Sequence, residues 1–138
     1  MVDMYGLKMM ARGHLFSNTL RVKGNTLAGK KSRDKGKRIE REACTFWHLV
    51  GYEDACRTAQ VKGGPDSPDI MNVPFHVEVK GGKTTPDIYA AVKQAWRDCG
   101  DEYPIVQVRR DREEWLFVVP EITMEYLLEC ERRDHGKK

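Results

Sequence analysis

The stretch that decides the fold reads Pro68-Asp69-Ile70-Met71-Asn72-Val73-Pro74-Phe75-His76-Val77-Glu78-Val79-Lys80. Pro74 separates two short pieces, residues 69–73 and 75–80, and each piece predicts a strand. The connection between them is short, which predicts a tight turn at residues 72–74. The stretch therefore predicts two neighbouring strands joined by that turn.

One face of the second strand is polar. Side chains alternate along a strand, so His76, Glu78 and Lys80 share a face. Asp69, at the start of the first strand, brings a second carboxylate towards Glu78. Two converging carboxylates form a hard, oxygen-lined pocket that suits Mg²⁺. A lysine beside them can orient a metal-bound water and offset negative charge on a phosphate. The pattern thus predicts the chemistry of phosphodiester hydrolysis.

The same pattern has plainer interpretations. Glu and Lys two residues apart on a strand also occur as charge pairs that stabilise a sheet without catalysis. Asp66 rivals Asp69 because it too follows a proline, but it lies in a loop rich in Gly, Pro and Ser. Asp69 is preferred because Ile70, an apolar strand residue, follows it directly. For His76, a role as an ordinary sheet-face histidine is preferred over one near a metal.

Composition bounds the class of protein. A chain of 138 residues with 40% hydrophobic and 33% charged residues predicts one domain with a well-solvated surface. The four cysteines form no C-x-x-C pair, which predicts reduced thiols, and the histidines lack zinc-ligand spacing. The sequence has neither a membrane-spanning apolar run nor a signal-peptide pattern. A cytoplasmic location without membrane contact is expected.

The charge is unevenly distributed. Residues 1–38 contain ten Lys and Arg against two acids, and the other residues contain 14 against 19. Such basic runs are often solvated faces or tails. Next to a candidate nuclease segment, this run predicts an arm that contacts DNA phosphates. The predicted contacts are Lys30, Lys31, Arg33, Lys35, Lys37 and Arg38.

The remaining elements follow from periodicity and from the residues that begin and end helices. A helix is predicted from Lys35 to Gly51 on the stripe Ile39, Ala43, Phe46 and Val50. Residues 52–59 predict a strand, and Gly81-Gly82 predicts the end of the 75–80 strand. A second helix is predicted to start at Thr85-Pro86-Asp87, with Thr85 as the capping residue, and to end at Gly100. Two strands (104–108 and 115–119) and a helix (121–132) follow. This order predicts an α/β domain with a mixed sheet. Residues 1–29 fit a hairpin, a swapped arm or disorder.

The motifs Lys35 to Glu42, Arg57, Asp69 and Glu78-Val79-Lys80, in this order, resemble the archaeal-type Holliday junction resolvases of the PD-(D/E)xK nuclease superfamily. The resemblance implies a restriction-endonuclease-like mixed sheet flanked by helices, with a basic N-terminal extension (residues 1–34) before a nuclease domain (residues 35–138). It also implies a homodimer that resolves branched DNA in recombination and repair with Mg²⁺ or Mn²⁺. A phage origin would suit the short length.

The resemblance also assigns roles. Asp69 and Glu78 are implied metal ligands, with the Val79 carbonyl and Glu40 completing the site. Lys80 would position the nucleophilic water, and Arg57 would hold the scissile phosphate as part of the DNA-binding set. Periodicity alone leaves Glu40 and Glu42 open as candidates, and only the resemblance selects Glu40. Two departures from the family's pattern are the long basic N-terminal segment and the short connection between Asp69 and Glu78.

Two alternatives stay open at this level. One is a related nuclease that acts on flaps, ends or restriction sites, because the catalytic residues do not encode substrate shape. The other is a non-catalytic DNA-binding module on the same fold, which has no need for clustered carboxylates that repel phosphate. Trp47, Trp96 and Trp115 lie on or beside apolar stripes, which predicts core packing or a subunit contact rather than base stacking.

Overall fold

The computed structural model describes residues 27–58 and 66–136. Their elements, in chain order, are α1 (Leu27–Leu49), β1 (Cys56–Arg57), β2 (Ile70–Met71), β3 (Phe75–Gly82), α2 (Ile88–Asp98), β4 (Tyr103–Arg110), β5 (Leu116–Val118) and α3 (Glu121–His135). They form a five-stranded sheet in the order β1-β2-β3-β4-β5. β3 and β4 are parallel, and the other neighbours are antiparallel. The predicted α/β class with a mixed sheet is confirmed.

The two faces of the sheet are covered by different helices. α1 and α3 cover one face, where the core contains Ile39, Ala43, Trp47, Ile70, Val77 and Ile105. α2, which connects the parallel strands β3 and β4, covers the other face, with Ala91 and Ala95 against Val106 and Val108. The first of these faces is called the α1 side below, and the second the α2 side.

α1 begins earlier than its apolar stripe predicts. The helix starts at Leu27 rather than near Lys35, so the described part of the basic run is helical and continuous with the domain. Its end agrees with the prediction, since the helix stops at Leu49 and Gly51 has φ +103°. Val50 belongs to the predicted stripe but is 52% exposed, and Trp47 takes the buried position instead.

β3 also differs from its predicted bounds, because the strand continues through Gly81 and Gly82. A Cβ atom at Gly81 would lie 3.0 Å from Ile39 Cγ2 and 3.1 Å from the Arg109 carbonyl oxygen. The glycine therefore permits close packing of α1 against the end of β3, where the sequence predicted a break. The shorter β1 and β2 leave most of residues 52–59 and 69–73 outside regular strands, and Ala59 lies outside the described residues.

Local turns and caps orient the hairpin and α2. The predicted turn at residues 72–74 joins β2 to β3, with Asn72 at φ 63° and its Nδ2 donating to the Asp54 carbonyl at 2.8 Å. Asp87, not Thr85, caps α2, because its carboxylate accepts from Ala90 N at 2.9 Å. Gly100, with φ 56°, follows the end of α2 as predicted. The turn and the Asp87 cap thus mark where β3 and α2 begin, and Gly100 marks where α2 ends.

Two buried polar contacts tie the helices to β4. Trp47 Nε1 donates to Gln107 Oε1 at 2.9 Å, and Thr123 Oγ1 donates to the Pro104 carbonyl at 2.8 Å. The Tyr126 ring of α3 also stacks on Tyr103, with centroids 4.2 Å apart. The predicted core role of Trp47 is thus confirmed, and α3 extends past the predicted end to His135.

The four cysteines carry free thiols. Among residues 27–58 and 66–136, no helix combines the length and the apolarity needed to cross a membrane. The structures expected for residues 1–26 and most of the loop predicted at residues 62–68 fall outside the described chain.

Candidate active site

Strand pairing brings Asp69 and Glu78 to the same side of the sheet. Ile70 pairs with Val77, and both point into the core on the α1 side. Their chain neighbours Asp69 and Glu78 consequently face the α2 side. The ladder between β2 and β3 then ends, and Asp69 Oδ2 accepts from Val79 N at 2.7 Å. The Asp69 carboxylate thus occupies the place that a further β2 backbone acceptor would take beside β3.

Lys80 connects Glu78 to α2. Its ammonium donates to Glu78 Oε1 at 2.6 Å and to Gln94 Oε1 at 3.0 Å. Glu78 is 4% exposed, whereas the Lys80 side chain is 31% exposed. Gln94 lies on α2 between the buried Ala91 and Ala95, so the helix packing holds its amide over β3. The lysine is thereby held between Glu78 and Gln94, with about a third of its side chain exposed.

Glu40 and Arg57 form a second pair next to this site. Arg57 Nε donates to Glu40 Oε2 at 2.7 Å, and the Arg57 side chain is only 6% exposed. Arg57 pairs with Ile70 across β1 and β2, so it faces α1, which carries Glu40. In this arrangement Arg57 holds Glu40 in place, and its burial leaves little of it open to a phosphate.

The charges of these groups act on one another. Burial raises the pKa of Asp69 to about 7, and the Glu78 carboxylate adds to that rise. The Val79 N–H lowers the pKa, Glu40 raises it and Lys80 lowers it, in decreasing order of effect. Asp69 therefore senses every other predicted ionisable ligand and the lysine. Its ionised form is opposed by two neighbouring acids.

The donor set fits a hard divalent cation. Asp69, Glu78 and Glu40 offer carboxylate oxygens, the ligand type that Mg²⁺ prefers, and a cation would relieve their mutual repulsion. In the described chain each carboxylate already has a protein partner, and no three His, Cys, Asp or Glu side chains form a ready-made metal cluster. These contacts engage Asp69 Oδ2, Glu78 Oε1 and Glu40 Oε2, so the other oxygen of each carboxylate can bind a cation while the contacts are kept.

Three side chains that the sequence offered as further candidates for the site either lie away from it or are buried. Glu42 pairs with Arg109, on the opposite side of α1 from the Glu40 contact. Asp66 is exposed and acts electrostatically on Arg97 of α2. His76 shares the face of Glu78 as predicted and is 1% exposed, which agrees with the preferred role as a sheet-face histidine rather than one near a metal. Burial lowers the pKa of His76, although Glu102 Oε2 lies 3.7 Å from its Nδ1.

The predicted DNA-contacting residues divide between two environments. Lys35 and Arg38 lie near Asp111, at 3.7 and 4.0 Å. Lys30, Lys31, Arg33 and Lys37 are exposed on α1. The basic run is therefore not a single uniform surface.

Sequence reasoning missed two residues of α2 that face the site. Gln94 bonds Lys80, and Arg97, whose guanidinium makes two hydrogen bonds to Asp98, lies close enough to Glu78 to sense its charge. Both positions fall on the polar side of the α2 stripe, which is the only signal in the sequence. Nothing in that signal says over which strand residue either side chain lies.

Known proteins add no assignment for this site. Comparison of the chain with models of protein families, with curated proteins and with solved structures gave no match. What the site can do thus follows from its residues and their geometry.

Proposed function

We propose that the protein is a Mg²⁺-dependent endonuclease of the PD-(D/E)xK type that resolves four-way DNA junctions. The observation that carries the proposal is the gathering of Asp69, Glu78 and Lys80 on the α2 side, where the three charges interact. Asp69 directly precedes β2 and the other two lie on β3, and together they form the acid-acid-lysine set expected for phosphodiester hydrolysis. Glu40 adds a third carboxylate from α1.

Asp69 and Glu78 would hold the cation, with Glu40 and the Val79 carbonyl as further oxygen donors. When bound, Mg²⁺ would supply charge neutralisation at the phosphate and lower the pKa of a water molecule. The rise in the Asp69 pKa supports this assignment, because a site that disfavours a second negative charge gains most from a cation.

Lys80 performs a separate task. Its ammonium has three N–H donors, of which Glu78 and Gln94 accept two. The third is left for a water or a phosphate oxygen at the open edge of the site. Fixed donors of this kind stabilise negative charge that develops during the reaction. Arg57, by holding Glu40, keeps the third carboxylate from turning into solvent.

Junction resolution implies two copies of the chain. A four-way junction has two-fold symmetry and needs two matching nicks, whereas the described chain gathers one such acid-acid-lysine set. The edge strand β5 and α3 expose apolar side chains that suit a self-complementary contact: Leu116, Met124 and Leu128. We therefore propose a homodimer.

Cleavage of three DNA shapes tests the proposal. Labelled four-way, flap and linear duplex DNA are incubated with the protein in Mg²⁺, in Mn²⁺, in Ca²⁺ and in EDTA. We expect paired nicks near the branch point of the junction in Mg²⁺ or Mn²⁺, and binding without cutting in Ca²⁺. Preferred cutting of flaps or ends indicates a related nuclease instead. Binding without cutting in every metal indicates a DNA-binding module and contradicts the enzyme.

A further inference from the structure

α1 carries cations on two different faces. Lys35, Arg38 and Glu42 recur at helical spacing and face the turn after β4. Lys35 Nζ lies 3.7 Å from Asp111 Oδ2, and Arg38 lies 4.0 Å from Asp111 Oδ1 and 3.8 Å from Glu42 Oε1. Lys35 and Arg38, called the clamp pair, thus form ion pairs within the molecule.

Other cations occupy the outer face. Lys30, Lys37 and Arg41, called the outer stripe, are spaced by seven and four residues and so lie along one face of the helix. All three are exposed, and within residues 27–58 and 66–136 none of them forms an ion pair. One acid, Asp34, falls between Lys30 and Lys37 on the same face. The outer stripe therefore keeps a net positive charge.

The length and position of the outer stripe suit a nucleic-acid backbone. At about 1.5 Å per residue, the stripe extends roughly 16 Å along the helix axis. One strand of duplex DNA carries a phosphate about every 3.4 Å of its axis, so several phosphates lie within that length. Arg41 follows Glu40 directly, which places one end of the stripe beside the candidate active site.

We infer that the outer stripe is the surface of α1 that contacts the phosphates of duplex DNA, and that the clamp pair holds α1 against the turn after β4. The inference rests on the proposed function for its partner, but it concerns binding alone. It divides the basic run, which the sequence treats as one arm, into a contacting part and a structural part.

Two double variants that remove equal charge test this division. Lys30→Gln/Lys37→Gln alters the outer stripe, and Lys35→Gln/Arg38→Gln alters the clamp pair. Arg41 is left intact because it adjoins Glu40. Affinity for a labelled duplex is measured by fluorescence anisotropy in EDTA, where cutting cannot occur, over a series of salt concentrations. Circular dichroism and thermal melting check the fold of each variant.

The outer-stripe variant should flatten the dependence of log K on log salt by about 1.8, since each lost phosphate contact removes about 0.9. The clamp variant should keep the wild-type salt slope and melt at a lower temperature. Asp34→Asn should tighten binding, because it removes the acid from the outer stripe. It leaves both residues of the clamp pair unchanged.

Equal slope changes in the two double variants, or an unaltered affinity in Asp34→Asn, would overturn the inference. A wild-type protein that fails to bind duplex would overturn it as well. A protein that binds through the outer stripe but cuts no DNA in Mg²⁺ contradicts only the proposed nuclease. A protein that cuts junctions while the outer-stripe variant keeps its slope contradicts only this surface.

Discussion

Asp69 is a carboxyl group whose neighbours oppose its ionisation. Burial and Glu78 raise its pKa to about 7, against the hydrogen bond from Val79 and the charge of Lys80. The sequence predicted that Asp69, Glu78 and Lys80 meet, because the period of two along a strand and a short turn leave few other arrangements. It could not predict Gln94 over Lys80, since the register of a helix on a sheet depends on packing between distant segments.

The raised pKa of Asp69 predicts how stability depends on pH in the absence of metal. The ordinary pKa of 3.8 applies to the unfolded chain, so between about 4 and 7 the folded state binds the extra proton. The contribution of Asp69 to stability is therefore greatest below pH 4, falls as pH rises to 7 and is then constant. Asp69→Asn, which cannot ionise but can still accept from Val79 N, should be more stable than wild type at about pH 8.

Urea unfolding in EDTA at about pH 5 and pH 8 measures this effect. The difference in unfolding free energy between Asp69→Asn and wild type should grow in favour of the variant between the two pH values. Asp66→Asn, at an exposed position, serves as the control and should show no such growth. If the stability of Asp69→Asn relative to wild type falls between pH 5 and pH 8, the raised pKa of Asp69 is contradicted.

At the scale of elements, the sequence predicted whether a segment is a helix or a strand better than it predicted where the segment begins and ends. The apolar stripe of α1 predicted its buried half, but the segment before that stripe gave no periodic signal, and residues 28–34 are almost all exposed. Gly81 and Gly82 read as a strand end because glycine weakens strands, whereas here the missing side chains admit α1. Thr85 and Asp87 both had cap chemistry, and only the structure distinguishes them.

The cap of α2 gives a prediction with a matched control. Asp87→Ala removes the acceptor for Ala90 N and should lower the free energy of unfolding by about 1 kcal/mol. Thr85→Ala, at the exposed residue that the sequence proposed as the cap, should change it little. Urea denaturation of both variants decides between them. Equal losses of unfolding free energy in the two variants would contradict the assignment of Asp87 as the cap.

The packing of α1 against β3 gives a second prediction, again with a matched pair of variants. Gly81→Ala places a Cβ against Ile39 and the Arg109 carbonyl and should destabilise the fold by about 1–3 kcal/mol. Gly36→Ala, in α1 with no atom within 4 Å of the added Cβ, should instead stabilise it by about 0.5–1 kcal/mol. Thermal or urea unfolding measures the change in stability of each variant. A Gly81→Ala variant as stable as wild type would show that α1 does not pack closely against β3 at this glycine.

At the scale of the whole molecule, the fold class followed from the order of elements, but substrate shape did not. An α/β domain with a mixed sheet was predicted from the order of the helix and strand signals, whereas the parallel pairing of β3 and β4 was not. Substrate choice depends on how two copies and the DNA fit together, which no single residue pattern encodes. The exposed apolar residues of β5 and α3 form the surface that we propose for contact between the two copies.

The proposed dimer makes a prediction about Leu116. This residue is 65% exposed on the edge strand, and Leu116→Asp should shift the protein from dimer to monomer in sedimentation velocity and reduce paired nicking. Tyr89→Ser is the control, because Tyr89 is exposed (81%) but lies on α2, outside the proposed contact surface. A wild-type monomer at working concentration would contradict the resolvase and leave a general nuclease.

The central claim, that Asp69 belongs to a nuclease site, is tested most directly by cutting of a four-way junction by wild type, Asp69→Asn and Asp66→Asn in Mg²⁺. We expect Asp69→Asn to lose cleavage while keeping or improving its affinity for the junction, since a charge that repels phosphate is removed. Asp66→Asn should cut at the wild-type rate. Near wild-type cutting by Asp69→Asn, or no cutting by the wild type itself, would contradict the account.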